Sequence, residues 1–513
     1  MKQAFRSAAI ITIFSFSSQL VLVGVQLIAA AKFGAGSDMD AFLSASTLPQ
    51  FVISVLLGSL SFVFIPFFVE YAVKGDEERA YRLSVGLFNI SMLLLGAICV
   101  IGILFSRQIL IVTNPGLAAE TLDVSVRISM VTWPTVMATG AFTLLSSIYQ
   151  AKRNFAWQAM VPLIGAVVNL ALLLLLAPKL GIIGLALATT TGVVIQVFLL
   201  WRVFAEKNRY HFRLYWDEDG LRKIIYVTLP LVLVAIVTKF TPLIDRYLAS
   251  EMHEGAISQL SYAFKILTLV SVLISTGIST VIFPRMAADA SNTDMGALGS
   301  TMSLGLRIMW AVTAPVIAIG IALALPAITF LFNHGAFSMQ DSVAVSDLFK
   351  IYLIALGGMS LGAITGKGFY AMKDTKTLAI FGALEAIAYV AYTAYLAGRF
   401  GQAGIAIGYV IYFSGSLVWQ LIVLRLRLGS AGKLAIFRSF GVTVIAALLA
   451  GIVASGVVSQ TEIILLQLLL GAFAGLLVYA LVLYVLRSAE LKMLLGVLMN
   501  RQQKDRRELG NIE

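Results

Sequence analysis

The sequence predicts an all-α, polytopic membrane protein of about fourteen transmembrane helices, arranged as two six-helix lobes plus two C-terminal helices. Three observations carry this. The chain is 59% hydrophobic and only 12% charged, with a mean hydropathy of +0.93, far more apolar than a soluble core requires. Apolar runs of about twenty residues recur along the chain, the length that crosses the hydrocarbon core as a helix. Strictly alternating strands are absent from the pattern, which argues against a membrane β-barrel.

Taken in order, Lys2 and Arg6 precede a first apolar span at 8–31. No small-residue cleavage site interrupts it, so it reads as a membrane span and not as a removed leader. A glycine-rich acidic turn, FGAGSDMD, leads into a second span at 41–71, which Pro49, Gly58 and Pro66 are expected to interrupt. Spans three to six are expected at 85–105, 122–149, 155–177 and 181–205. A polar connector holding the run KNRYHFRLYW follows at 206–223. Spans seven to twelve are expected at 224–248, 256–286, 302–325, 343–370, 378–398 and 405–424, with a short helix and loop at 326–341. Spans thirteen and fourteen fall at 440–458 and 463–486, and an interfacial tail helix is expected at 489–513.

The two lobes follow from an internal repeat. Phe64-Ile65-Pro66 matches Ile282-Phe283-Pro284, and Ala45 matches Ala263, 218 residues apart. Tyr149 and Lys152 match Tyr370 and Lys373 at an offset of 221, and Gly181 and Gly184 match Gly401 and Gly404 at 220. Paired helices lie six spans apart, an even number, so the repeats are parallel. The expected division is a first lobe at 1–205, a connector at 206–223, a second lobe at 224–427, two further helices at 428–487 and a cytoplasmic tail at 488–513.

Basic residues set the orientation. Lys74, Arg79, Arg82, Lys152, Arg153, Lys373, Lys376, Arg425 and Arg427 cluster on one side, against Lys32, Arg107, Lys179 and Arg399 on the other. The positive-inside rule then places both termini in the cytoplasm. The net charge of +11 is that of a face beside anionic lipid, with no nucleic-acid partner implied. The single Cys99 excludes a disulfide framework, and His211, His253 and His334 read as separate loop residues, so no metal site is expected. Gly58 and Gly277 are expected to let helices pack closely. Pro49, Pro66, Pro230, Pro242 and Pro284 are the expected hinges. Trp133, Trp157, Trp201, Trp216 and Trp419 are expected at the membrane interfaces.

The pieces FGAGSDMDAF, IDRYLASEMHEGAISQLSYAFKI, STVIFPRMA and GFYAMKDTKT, with the Pro49 and Pro66 helix, resemble the MviN/MurJ family. That family belongs to the superfamily of multidrug, oligosaccharidyl-lipid and polysaccharide exporters. The resemblance covers spans one to twelve, and the two extra C-terminal helices are a feature of the same family. It implies a flippase of the bacterial inner membrane for undecaprenyl-diphosphate-linked sugars, typically lipid II, and the chain is expected to be a monomer. Asp40 and the basic position Lys265 are retained. The arginines usual in helix one fall at Gln19 and Val25, and helix two reads FVISVLL where the family often carries charge.

Ionisable residues within spans should face a cavity or a partner. Lys239 and Lys265 lie deepest and are the expected ligands of the diphosphate, with Asp40 and Arg127 as further cavity candidates. Arg307 and Lys350 lie nearer their helix ends. Glu385 and Asp245 are candidates for coupling to Na⁺ or H⁺, the competing expectation being structural Glu385–Lys and Asp245–Arg246 pairs. No nucleotide-binding loop occurs, so ATP is not the expected driver, and no cofactor is implied. The alternatives are a Wzx-like flippase for exopolysaccharide, O-antigen or teichuronic repeat units, and a cation-coupled drug exporter. A membrane enzyme is disfavoured, because the outer loops are short and hold no dense carboxylate or histidine cluster.

Overall fold

The computed structural model of the chain describes residues 2–152, 154–205, 210–216, 218–292, 294–429 and 437–488. The expected tail helix at 489–513, and parts of the connector, lie outside the described residues. Nineteen helices are described, and they form fourteen spans long and apolar enough to cross a membrane. They are α1 (Lys2–Phe33), α2 (Ser37–Val73), α3 (Glu77–Leu104), α4 (Ser106–Thr113), α5 (Ala119–Thr132), α6 (Pro134–Ala151), α7 (Phe155–Leu180), α8 (Ile182–Leu200), α9 (Arg202–Ala205) and α10 (Asp219–Thr238). Next come α11 (Thr241–Ser250), α12 (Ala256–Ser291), α13 (Met295–Ala322), α14 (Ala324–Phe332), α15 (Met339–Ala371), α16 (Thr375–Phe400), α17 (Gln402–Leu428), α18 (Phe437–Gln460) and α19 (Ile464–Val485). The short helix α4 was not expected from the sequence, and α9 lies within the expected sixth span.

The chain forms two compact units. The first holds Met1–Ser258 together with His334–Phe337, so the expected boundary at 206–223 falls inside it. Its α10 and α11 pack on α2. There α2 also packs on α5, α6 and α3, while α1 packs on α7 and α7 on α8. The core of this unit is aromatic and aliphatic, with Phe64, Phe68, Leu83, Phe88, Leu145 and Phe204 buried. In the second unit α15 is the most enclosed span and packs on α13 and α17. The C-terminal pair α18–α19 packs on α13, burying Ala314, Ala446, Ala450 and Ala454.

Aspartates start three of the helices. Asp76, Asp294 and Asp374 accept hydrogen bonds from the N–H groups of Arg79, Ala297 and Thr377, filling donors a helix start leaves free. At the α15–α16 turn the Thr377 hydroxyl, with the Thr377 N–H and nearby Arg427 adding to it, holds the Asp374 carboxyl below the usual range. Element ends also recur at constant offsets. α3 and α13 both start and end 218 residues apart, and α7 and α16 both start and end 220 apart. Gly181 and Gly401, which end α7 and α16, share the same backbone conformation, φ 57° and ψ −139° against φ 59° and ψ −137°.

The prolines behave differently from expectation. α2 runs unbroken through Pro49 and Pro66, and α12 through Pro284. A proline removes the N–H that would bond the carbonyl four residues back, and in a bilayer water cannot replace it. Neighbouring hydroxyls replace it at Pro49 and Pro315. The carbonyl of Ala45, freed by Pro49, accepts from Thr132 Oγ1 at 3.3 Å. The carbonyl of Ala311, freed by Pro315, accepts from the buried Tyr479 hydroxyl at 2.8 Å. Real breaks occur instead within span four, at Trp133, and span seven, at Lys239 and Phe240, with Pro134 and Pro242 restarting the helices. At the first break Thr190 Oγ1 donates to the Val131 carbonyl at 3.0 Å.

Two other expectations are corrected. Gly58 and Gly277 are not close-packing points, because a Cβ added at either would meet nothing within 4 Å. Trp133 is not an interfacial residue: it is 3% exposed, and a methyl added at Gly102 would fall on its indole.

The Tyr479 bond makes a clean test. Tyr479→Phe leaves the Ala311 carbonyl buried without a donor and should cost about 1–3 kcal/mol. Pro315→Ala restores the helical N–H, so the double variant should recover most of the loss. Thermal unfolding of the detergent-solubilised variants measures both effects, and additive losses in the double variant would contradict the assignment.

Candidate functional site

Asp40 lies in the first turn of α2 and is 4% exposed. Its Oδ2 accepts the Gly255 N–H and its Oδ1 the Ser258 N–H, both at 2.7 Å. Those donors belong to the start of α12, whose first N–H groups have no helical acceptor and carry partial positive charge. The carboxylate therefore caps a helix other than its own. Gly255 reaches this position at φ +88°, a conformation that favours glycine. Arg246, whose charge acts on Asp40, donates to the Ile257 carbonyl at 2.8 Å, and the Ser37 N–H donates to Glu254 Oε1 at 3.0 Å.

The same end of the unit is tied by a backbone bond from Ala336 N–H to the Ala31 carbonyl at 2.7 Å. Gly34 and Gly335 sit there at φ +65° and +62°, and side chains on them would meet the carbonyls of Ala336 and Ala31. The chain thus knots the end of α1, the start of α2 and the start of α12 together. Asp40 is a structural clamp in this arrangement. With both oxygens taken by N–H groups, it is not an open-cavity ligand for a diphosphate.

The other candidates are placed as follows. Lys239 caps the C-terminus of α10 at the break in span seven, and its side chain is exposed. A cation suits that place, because a helix C-terminus is the negative end of its dipole. Phe240 beside it packs edge-on against Phe51 of α2, with ring centroids 6.2 Å apart. Lys265 lies on α12 and is also exposed. Lys239 belongs to the first unit and Lys265 to the second. Arg127 is exposed on α5, next to the fully buried Ile128. Lys350 pairs with Asp347 at 2.8 Å on one helix face, and Lys367 stands 5.7 Å from the Phe283 ring centre. Val25, at an expected arginine position, is buried at 5%, while Gln19 is exposed.

Glu385 is half-buried midway along α16. Trp419 and Ser416 of α17 act on its carboxylate as donors, although Trp419 Nε1 falls short of full hydrogen-bond geometry, so that contact is electrostatic. Among the described residues no ion pair reaches Glu385, so the expected Glu385–Lys pair is not formed. Tyr412 lies within electrostatic reach of it. Tyr412 packs on Tyr389 at 5.6 Å, and Tyr389 packs on Tyr409 at 5.5 Å. Asp245 is half-buried on α11 and is engaged by other groups. Sequence reasoning missed the partners of Asp40 and the tyrosines around Glu385. The aromatic spacing within YVAYTAY and GYVIYF was the available signal for the latter.

Comparison with known proteins places this geometry. The family model described as lipid II flippase MurJ matches residues 29–479. A probable lipid II flippase MurJ of Vibrio cholerae is 24% identical, covering 91% of this chain and 96% of that protein. The lipid II flippase MurJ of Burkholderia cenocepacia is 23% identical over 73% of this chain and 74% of its own. Among solved structures, an inward closed conformation of lipid II flippase MurJ superposes with a TM-score of 0.80 at 20% identity, covering 93% of this chain and 98% of that one. An inward-facing multidrug transporter of the MATE family gives a TM-score of 0.70 at 15% identity, over 83% of this chain and 99% of that one. With the family model spanning almost all of the fourteen-span fold, the chain belongs to the lipid II flippase MurJ family, a family of transporters and not of enzymes.

Proposed function

We propose that this chain flips an undecaprenyl-diphosphate-linked sugar precursor, lipid II first among them, across the bacterial inner membrane by alternating access. The observation that carries this is the family match over residues 29–479, which takes in both compact units. In this reading the chain works as a monomer with both termini in the cytoplasm, and the recurring helix ends mark two parallel repeats. The basic loops then face inward, and the Asp40 clamp closes the outer end. Outward opening requires Asp40 to release the Gly255 and Ser258 amides. Pro242, at the break in span seven, is the hinge the geometry favours, whereas Pro49, Pro66 and Pro284 act within continuous helices.

Lys239 and Lys265 are the cations assigned to the diphosphate, with Arg127 in support. Both lysines are exposed on helices that cross the membrane, where a charge facing lipid would be costly. Glu385 is the assigned coupling acid, because an intramembrane carboxylate without an ion pair must bind a proton or a cation, or bear the cost of burial. Asp245 is the secondary candidate. A second reading, transport of exopolysaccharide or O-antigen repeat units, draws on one observation. The first helix carries Gln19 and buried Val25 where the family usually has arginines. Competition between lipid II and such undecaprenyl diphosphates for the purified protein separates the two readings.

Two outcomes follow. Lys239→Ala and Lys265→Ala should each lower flipping about tenfold or more, the loss expected of one charge-assisted contact. The assay is translocation in vesicles at matched protein content, and unchanged rates in both variants would contradict the assignment. Glu385→Gln should abolish the response of transport to an imposed Na⁺ or pH gradient while leaving the protein folded. If the response persists in full, Glu385 is not the coupling acid.

A further inference from the structure

A cavity of about 520 Å³ opens on the first unit between α3, α6, α8 and residues 210–212. Its walls are apolar: Phe88, Met92, Met137, Val197, Phe198 and Trp201. None of the assigned transport residues lines it. One end is an aromatic cluster, in which Trp201 and Tyr210 lie 5.0 Å apart and Phe88 packs edge-on against Phe204 at 5.4 Å. The far end reaches Pro134, the first residue of α6, which lies ~25 Å along that helix from its basic end at Ala151. Along α6 the lining runs only from Pro134 to Ala141, ~10 Å of helix rise, about a third of a ~30 Å hydrocarbon core.

The aromatic end is built. Asn89 of α3 is 1% exposed, and its Nδ2 donates to the carbonyls of His211 and Arg213, both at 3.0 Å. This pins the segment 210–213 against α3 and stands Tyr210 and Phe212 at the groove mouth. Gly86 permits the approach, since a Cβ there would lie 3.0 Å from the Leu214 carbonyl oxygen. Among the described residues next to this mouth, Arg202, His211 and Arg213 are exposed; Arg202 already engages another group, and Arg213 lies 5.1 Å from the Tyr215 ring centre. An apolar slot ~10 Å long, rimmed by aromatics and with arginines next to its lining residues in the chain, matches part of an acyl chain below an anionic phosphate.

We infer that this groove binds an anionic glycerophospholipid of the cytoplasmic leaflet, one acyl chain between α3, α6 and α8 and its phosphate at Arg202 and Arg213. The inference rests on the orientation in which the basic loops face the cytoplasm, and it is independent of which sugar the chain transports. These pinned residues belong to the connection between α9 and α10, so a lipid bound there braces the entry to span seven.

The test uses the full chain in nanodiscs of phosphatidylcholine carrying a minor fraction of diazirine-acyl phosphatidylglycerol, with the labelled residues mapped by mass spectrometry. Label is expected to concentrate on Met92, Met137 and Phe198. Ala138→Trp, which fills the slot, should reduce it about tenfold. Arg202→Gln with Arg213→Gln, a surface change that spares the core, should reduce phosphatidylglycerol labelling to the level given by a diazirine-acyl phosphatidylcholine probe. Equal wild-type labelling by the two probes, an even spread over lipid-facing helices, or no effect of Ala138→Trp would overturn the inference. Displacement of the probe by undecaprenyl diphosphate would also overturn it, by making the slot a seat for the substrate tail. Labelling is read without transport, so this inference can fail while the flippase reading stands, and the reverse.

Discussion

A backbone carbonyl or N–H in hydrocarbon has no water to turn to, and much of this structure follows from that constraint. It explains why long helices survive prolines that would break them in water. The carbonyl that Pro49 frees is taken by Thr132, and the one that Pro315 frees by Tyr479. Each replacement bond also joins two helices, so satisfying the backbone fixes the packing. The α18–α19 pair is docked on α13 partly in this way, alongside its small-residue core. The Asp40 clamp obeys the same rule at a helix start, where two free N–H groups of α12 are filled by a carboxylate from α2.

The clamp and the isolated acid illustrate two fates of a carboxylate in a membrane protein. Asp40 is fully occupied by backbone donors, and its work is to hold two helix starts together. Glu385 has aromatic and hydroxyl neighbours and no ion pair among the described residues, which is the ground on which we propose it as the coupling acid. Both residues are acids near span helices in the sequence. Only the direction and kind of their neighbours tells the two apart.

The spans and their number were legible because apolar length is a one-dimensional property, and all fourteen appear where hydropathy places them. The 218-residue spacing was legible for the same reason, and it returns in the ends of α3 and α13. Less could be read of what happens inside each span. Pro49 looked like a break because Thr132 is 83 residues away in sequence and its hydroxyl cannot be anticipated from local pattern. Gly58 and Gly277 looked like contact points, although nothing approaches them. Asp40 looked like a ligand because its role depends on Gly255 and Ser258, some 215 residues on. For Pro49 and Asp40 the deciding partner is remote in sequence, and a single sequence holds no record of it.

We propose that the Asp40 clamp is a gate that opens during transport, and hydrogen–deuterium exchange across residues 251–260 in nanodiscs measures this directly. The Gly255 and Ser258 amides should be protected in the resting protein, exchange faster when lipid II is added, and exchange fast without it in Asp40→Ala. Protection that is the same with and without substrate, while the protein is flipping, would contradict the account, because the clamp would then be a fixed joint.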